Sequence, residues 1–286
     1  MPESSKYSDL PARLKTAAIL GVLILGSLFV HPYVFLFVIT TFFFFISIEF
    51  INIRGRYYKG SDITFIQTLK WGWWSMWPFF ISFYFFYRGD YPPFLPGVFL
   101  SISLIFSVIS LMDLFRCSFN RIFQMPKWLI SFGYFGSHMA LWPLVLFYLG
   151  SDWWIWVLFF LFVIWVNDTF AFFSGKLFGK RKLYPSVSPN KTVEGLIGGV
   201  VGSLLLGWIF APSLKVELMH AITAAAITGL GVSLGDLVQS RYKRMAGVKD
   251  SGVRLPGHGG FYDRFDGLFF IMPYMVMLVI FFQQYQ

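Results

Sequence analysis

Charge is scarce in this chain. Asp, Glu, Lys and Arg supply 13% of its 286 residues, against 57% hydrophobic residues. A soluble domain carries about twice that share of charge, so a water-facing globule is excluded and the solvent for most of the chain is lipid. Cysteine is nearly absent: the single Cys117 rules out an internal disulfide and a cysteine metal cluster, and it reads as a chance thiol. No base-reading motif is found, so the net charge of +9 calls for a partner other than nucleic acid. No small-residue cleavage site follows the first apolar stretch, where SLFVHPYVF runs straight on, and the stretch reads as a retained helix. Repeats and low-complexity tails are missing as well. One integral membrane domain over 1–286 is expected, with amino-terminal spans in 1–150 and catalytic spans in 151–286.

What is abundant is phenylalanine and tryptophan, 37 and 11 residues, arranged in long apolar runs. A helix needs about 20 apolar residues to cross about 30 Å of hydrocarbon. Runs of that kind fall at about 16–31, 33–50, 71–87, 95–112, 128–149, 152–174, 193–211, 217–239 and 267–283. The expected fold is therefore all-α and polytopic, with about nine transmembrane helices. With the amino terminus in the cytoplasm, 21 of the 23 Lys and Arg residues fall in cytoplasmic segments and only Arg88 and Lys215 outside. This is the bias that positive-inside topology produces, and attraction to anionic head groups accounts for the rest of the basic balance.

A carboxylate in a spanning helix costs roughly 2.5 kcal/mol or more and is kept for a purpose. Asp168, in WVNDTFAFFSGKLFG, Asp236, in GVSLGDLVQS, and Glu194, in SPNKTVEG, all lie toward the cytoplasmic ends of their helices. Each either pairs with a basic neighbour or serves a site. Ser240 to Asp266 adds Arg241, Lys243, Arg244, Lys249, Arg254 and Arg264 to Asp250, Asp263 and Asp266, with His258 between Gly257, Gly259 and Gly260. Glycines there permit positive φ and close approach, and consecutive N–H groups in such turns bind anions. Carboxylates hold Mg²⁺ while cations bind phosphate oxygens. Asp236 and Asp263 are the expected metal pair if neighbouring helices bring them together. Ser188 and Pro189 fit an N-cap and first turn, leaving Lys191, Thr192 and Glu194 at the membrane surface, with Lys191 on a phosphate and Glu194 holding it. Such a constellation suggests phosphoryl or nucleotidyl transfer onto a lipid. A transporter would place its carboxylates nearer the midplane.

SRYKRMAGVKDSGVRLPGHGGFYDRFD, Ser240 to Asp266, is similar to the signature of the phosphatidate cytidylyltransferase family, also called CDP-diacylglycerol synthases. NDTFAFFSGKLFGKRKL and SPNKTVEGLIGG resemble the segments that precede it there, so the similarity covers about 165–267. The first 150 residues match only as hydrophobic spans. The resemblance implies a membrane-embedded homodimer in the bacterial inner membrane, its polar cavity facing the cytoplasm. It also implies transfer of CMP from CTP to phosphatidate with Mg²⁺, one ion or two, at Asp236 and Asp263. The catalytic group expected on this basis is Asp236, Asp263, Lys249, Asp250, His258, Arg264 and Asp266. The substrate-binding group is Asp168, Ser188, Lys191, Thr192, Glu194, Ser240, Lys243, Arg244, Gly259 and Gly260. His258 either donates to a phosphate or braces its turn, and Asp250 either binds metal or pairs with Lys249. A related enzyme that uses CTP on another lipid phosphate, or phosphorylates a polyprenol, is the nearest rival reading.

Elsewhere bland roles are expected. His31, His138 and His220 serve packing or hydrogen bonding. Trp71, Trp73, Trp74, Trp77, Trp153, Trp154 and Trp156 serve as lipid-facing or interfacial anchors. Small residues Gly195, Gly198, Gly199 and Gly202, and Ala221, Ala225 and Gly229, mark close helix packing.

Overall fold

The computed structural model describes residues 10–60, 63–116 and 120–283; Cys117 lies outside them. Helix α1 (Leu10–Val30) gives way at His31 and Pro32 to α2 (Pro32–Lys59). His31 Nδ1 accepts from Tyr33 N at 3.3 Å and the proline occupies the first turn, where it loses no helical bond. Gly60, at φ +66, closes α2 through its N–H to the Arg56 carbonyl. Next come α3 (Phe65–Arg88), α4 (Phe94–Phe115) and a single turn, α5 (Arg121–Gln124). A π-helical stretch (Leu129–Gly136) leads into α6 (Ser137–Leu149), and α7 (Trp153–Phe178) follows after the break at Gly150–Asp152. A small antiparallel hairpin, β1 (Lys182–Tyr184) and β2 (Ser188–Thr192), pairs Lys182 with Thr192 and Tyr184 with Ser188. The chain ends in α8 (Val193–Leu214), α9 (Leu218–Met245) and α10 (Tyr262–Gln283).

Among the described residues seven stretches are long and apolar enough to cross a membrane: Arg13–Val30, Pro32–Tyr58, Phe94–Phe115, Leu129–Phe178, Val193–Leu214, Leu218–Met245 and Tyr262–Phe282. An unbroken helix of the fourth stretch, 50 residues, would be about 75 Å long, over twice the hydrocarbon thickness. The chain instead breaks at Gly150, which takes φ +52. The expected span at 71–87 lies in α3, which is not among the seven. The protein is an all-α integral membrane bundle apart from the hairpin.

Its core is α6, buried without interruption from Ser137 to Leu146. His138 is a packing residue here: Nδ1 donates to the Tyr134 carbonyl at 2.7 Å, and the ring stacks on Phe269 with centroids 4.5 Å apart. His220 packs its ring on Phe282. Of the expected tryptophan anchors, Trp73, Trp74, Trp77 and Trp154 are exposed. Trp153 and Trp156 are not anchors; three residues apart on α7, they share an inward face and pack on Phe35 and Phe282.

Two further expectations are corrected. Ser188 and Pro189 do not start a helix but lie in β2, and the cap of α8 is Thr192, whose Oγ1 accepts from Gly195 N at 3.1 Å. A hairpin forms because Val193 N bonds the Arg181 carbonyl and Val187 N the Tyr184 carbonyl, tying the strand ends together. Ser240, Lys243 and Arg244 are not in a loop but on the last turns of α9, while Asp263 and Asp266 are on the first turns of α10. The loop is confined to 246–261 because Gly247, at φ +69, ends α9 with its N–H on the Arg244 carbonyl, and Val248 N reaches back to Lys243.

The small-residue stripes bring α8 against α7 and α9. Buried Asn167 of α7 joins the three helices, donating to Ser203 Oγ at 3.2 Å and accepting from Ser233 Oγ at 3.3 Å. A Cβ on Gly207 would lie 2.8 Å from the Ala221 carbonyl oxygen and 2.9 Å from Ala225 Cβ, where neither backbone can yield. Gly207→Ala should therefore cost about 1–3 kcal/mol and lower the melting temperature of the detergent-purified protein. Gly97→Ala, whose Cβ meets nothing within 4 Å, should leave it unchanged.

Candidate active site

Asp263 stands at the first turn of α10 with its side chain only 7% exposed. Oδ1 accepts from Lys243 Nζ and Gln239 Nε2, both at 2.8 Å and both from α9. Oδ2 accepts from Ser251 N at 2.8 Å, Ser251 Oγ at 3.0 Å and Gly260 N at 2.9 Å. A buried carboxylate is tolerated only when hydrogen-bonded and paired, and four donors of its own, with the Ser251 hydroxyl as a fifth when it is not turned to Glu49, meet that condition. Gly259 sits beside it at φ +84, a conformation side chains disfavour. The N–H of Gly260 serves Asp263.

A second carboxylate holds the same loop from the far side. Glu49 of α2 is fully buried. Oε2 accepts from Ser251 Oγ at 2.8 Å and Tyr262 N at 2.9 Å; Oε1 accepts from Phe261 N at 3.1 Å and Arg254 Nη1 at 3.3 Å. Sequence reasoning missed this residue. Its signal was nevertheless there: one carboxylate inside the apolar run TFFFFISIEFI.

On the other side of Asp263 opens a cavity of about 680 Å³ between α7, the hairpin, α8, α9 and α10. It brings together Asp168, Lys191, Thr192, Asp236, Lys243, Asp263, Arg264 and Asp266 of the expected residues, and adds Lys176, Asn190 and Gln239. Asp236 Oδ2 holds Lys191 Nζ at 2.6 Å, and Oδ1 accepts from Ser240 Oγ at 3.2 Å. Asp168 is exposed and takes no hydrogen bond or ion pair among the described residues. The remaining lining is apolar and includes Ile164, Phe172, Val232 and Leu268.

Other expected residues lie off the cavity lining. Lys249 and Asp250 are exposed on the loop, and Ser188 is on the hairpin. Arg244 Nη1 bonds the Val248 carbonyl, so it secures the helix end. Glu194 does not hold Lys191. Its carboxylate accepts from Lys180 N at 3.0 Å and Arg181 N at 3.1 Å, and pairs with Arg181 Nε at 3.5 Å, because the hairpin delivers those backbone groups to the start of α8. His258 donates its N–H to the Leu255 carbonyl, and its own carbonyl accepts from Arg264 Nε and Nη2 at 3.1 and 3.0 Å.

The match to known proteins follows this geometry. The model of the cytidylyltransferase family fits residues 11–282. The chain belongs to that family. Similar proteins include the phosphatidate cytidylyltransferases of Bacillus subtilis, 48% identical over 122 residues, 42% of this chain and 45% of that protein, and of Staphylococcus haemolyticus, 43% over 132 residues, 46% and 51%. That of Staphylococcus aureus is 44% identical over 126 residues, 43% and 48%. The matched segment spans about half the length of these curated relatives. Gln239, Ser251 and Glu49, which fix Asp263 directly or through one another, are the cytidylyltransferase residues that motif reading passed over. Gln239 and Ser251 do not stand out by residue type, whereas Glu49 does as a carboxylate in an apolar run.

Desolvation of the His258 ring, with the Arg264 guanidinium beside it, lowers its pKa below the ordinary histidine value of 6.5. The ring is neutral at pH 7, and its contribution to stability is lost as pH falls through the folded value. Carbon-detected NMR of labelled histidine in detergent should show a His258 midpoint below 6.5 that rises in Arg264→Gln. A midpoint at or above 6.5 in the unaltered protein would contradict this environment.

Proposed function

We propose that this cytidylyltransferase-family protein transfers CMP from CTP to phosphatidate at the cytoplasmic face of a bacterial inner membrane, giving CDP-diacylglycerol and pyrophosphate. The observation that carries the reading is the cavity: carboxylates and cations line the same space as apolar walls of helices long enough to cross a membrane. A soluble polyphosphate and a lipid phosphate can both reach such a surface.

The nucleophile, a phosphatidate phosphate oxygen, is already anionic, so no general base is required. It attacks the α-phosphorus of CTP, the bond from that phosphorus to the bridging oxygen breaks, and the electron pair leaves on pyrophosphate. Catalysis then rests on neutralising charge and aligning the two phosphates. Lys191 and Arg264 face the cavity and counter the phosphates. Lys243 is committed to Asp263 and acts by fixing it.

The donor set suits a divalent cation. Asp236 and Asp263 each already hold an ammonium, at 2.6 and 2.8 Å, and hard oxygen ligands of this kind match Mg²⁺. Asp236 and Asp263 would hold it, with Asp168 and Asp266 on the same cavity. Among the described residues no three His, Cys, Asp or Glu side chains are grouped to hold a metal by themselves, so phosphate oxygens and water would complete the shell, as is usual for Mg²⁺. When bound, the ion supplies charge neutralisation at the phosphates and the leaving group.

Purified protein in detergent, given phosphatidate, Mg²⁺ and α-labelled CTP, should place label in lipid and release pyrophosphate. Label must require phosphatidate, and Asp263→Asn should lose about 10²-fold in rate, the scale of removing one preorganised electrostatic contact. Absence of transfer to phosphatidate or any other lipid phosphate, from folded protein, would sink the reading. Lys191→Ala should raise KM for CTP or phosphatidate about tenfold, equivalent to about 1.4 kcal/mol. Unchanged KM for both would remove Lys191 from substrate binding.

A further inference from the structure

Glu49 lies outside the cavity lining, and its hydrogen bonds and ion pair reach none of the lining residues. All four of its donors belong to one piece of chain, residues 251–262. Two of them, Phe261 N and Tyr262 N, are at the start of α10, where helix N–H groups lack intrahelical partners and the helix end favours negative charge. Glu49 thus caps α10 from another helix. A third donor, the Ser251 hydroxyl, stands between Oε2 of Glu49 at 2.8 Å and Oδ2 of Asp263 at 3.0 Å. Its single proton serves one carboxylate at a time, and its backbone N–H stays on Asp263.

The loop is shaped around this carboxylate. A Cβ on Gly252 would come within 2.9 Å of Oε1, and one on Gly260 would overlap Oε2. Gly260 has no positive φ, so what it supplies is room. Phe45 stacks on Phe261 with centroids 4.9 Å apart, and the Arg254 guanidinium lies 5.8 Å from the Phe45 ring. If the loop needed only to adhere to α2, apolar residues would serve as well, since replacing buried ion pairs with packed hydrophobic residues is often neutral or stabilising. A charge that is costly in a spanning helix and faces four donors with fixed directions sets geometry.

We propose that Glu49 is a positioning residue for the transfer reaction: through Ser251 and the first turn of α10 it fixes the orientation of Asp263. The inference rests on the CMP-transfer reading and extends the site to the amino-terminal half of the chain. It separates two effects. Substrate contacts are made elsewhere in the cavity, so loss of Glu49 disturbs the reacting geometry and spares binding.

Full-length Glu49→Gln, which keeps the volume and one acceptor but loses the charge, should lower kcat about 10- to 100-fold, the scale for partners that orient a site's ligands. KM for CTP and for phosphatidate should stay within about twofold. Ser251→Ala should reproduce the split in a variant that leaves the buried carboxylate with its backbone donors. The double variant should lose less than the product of the two single losses, because residues in one network are not additive. Amide hydrogen exchange supplies a readout independent of turnover: Glu49→Gln should speed exchange at Ser251, Phe261 and Tyr262 and leave α3 and α7 unchanged. Unaltered kcat in folded Glu49→Gln, a rise in KM at constant kcat, or faster exchange spread evenly over all helices would overturn the proposal. If Glu49→Gln does not fold, Ser251→Ala decides the kcat and KM split by itself. If the unaltered protein transfers no CMP, the reaction reading fails, while localised exchange still supports Glu49 as the residue that orders the loop.

Discussion

One serine hydroxyl stands between two buried carboxylates, and the geometry of the site depends on how that contact is sustained. Ser251 Oγ lies 2.8 Å from Glu49 and 3.0 Å from Asp263, two anions that would repel if left bare in a medium of low dielectric. They coexist because each carries its own complement of donors: Lys243, Gln239 and Gly260 on one, Arg254 and the first amides of α10 on the other. Remove the loop and Glu49 keeps only the Tyr262 amide, while Asp263 keeps only its α9 partners Lys243 and Gln239. Remove either charge and the loop loses the partners of its backbone. The loop folds as it does because 246–261 offers few apolar contacts of its own and many N–H groups that need acceptors.

The bundle around it solves a different problem. Apolar helices gain little from each other in lipid, so close backbone approach and interhelical hydrogen bonds must hold them. The glycines of α8 allow that approach, and Asn167 supplies the bonds at the level just below Asp168. This fixes α7, α8 and α9 relative to one another, and therefore the wall of the cavity on which Asp168 and Asp236 sit. Rigid helices carry the carboxylates, and the short hairpin between α7 and α8 carries Lys191.

Periodicity and charge made much of this legible. The apolar runs mark where the helices lie, the basic residues gather at their site-bearing ends, and topology put Asp168, Asp236 and the Asp263–Asp266 stretch on one membrane face, where the cavity brings them together. Helix ends were harder. Ser-Pro at 188–189 has the chemistry of a cap, but the tertiary bond from Val193 N to the Arg181 carbonyl turns the segment into a strand and moves the cap to Thr192. The continuation of α9 to Met245 was hidden because Arg241, Lys243 and Arg244 read as a solvated loop, although Lys243 is buried on Asp263. Glu49 was concealed by its neighbours: in a run of phenylalanines one carboxylate barely lowers the hydropathy, and its partners lie some 200 positions away in sequence. No local pattern encodes a contact of that range. Likewise, the glycines of the GHGG stretch suggested an anion-binding turn, and only the fold reveals that Gly260 gives its N–H to a carboxylate of the chain itself.

The two ion pairs on the cavity differ in a way that bears on chemistry. Lys243 and Asp263 are 11% and 7% exposed at their side chains, whereas Lys191 and Asp236 are 27% and 40% exposed. A buried pair is costly to break because each partner would be left unpaired without water. A pair that water reaches is screened and contributes little. The same two residue types therefore make a fixed contact on the α9 and α10 side and an exchangeable one on the hairpin side. The proposed transfer at a phosphate would use both: a charge that does not move while the groups align, and a cation that can leave its carboxylate for an incoming phosphate. The placement of Asp263 among its donors and of Asp236 at the open wall suits that division, and in the proposed reaction Glu49 secures the half that must stay still.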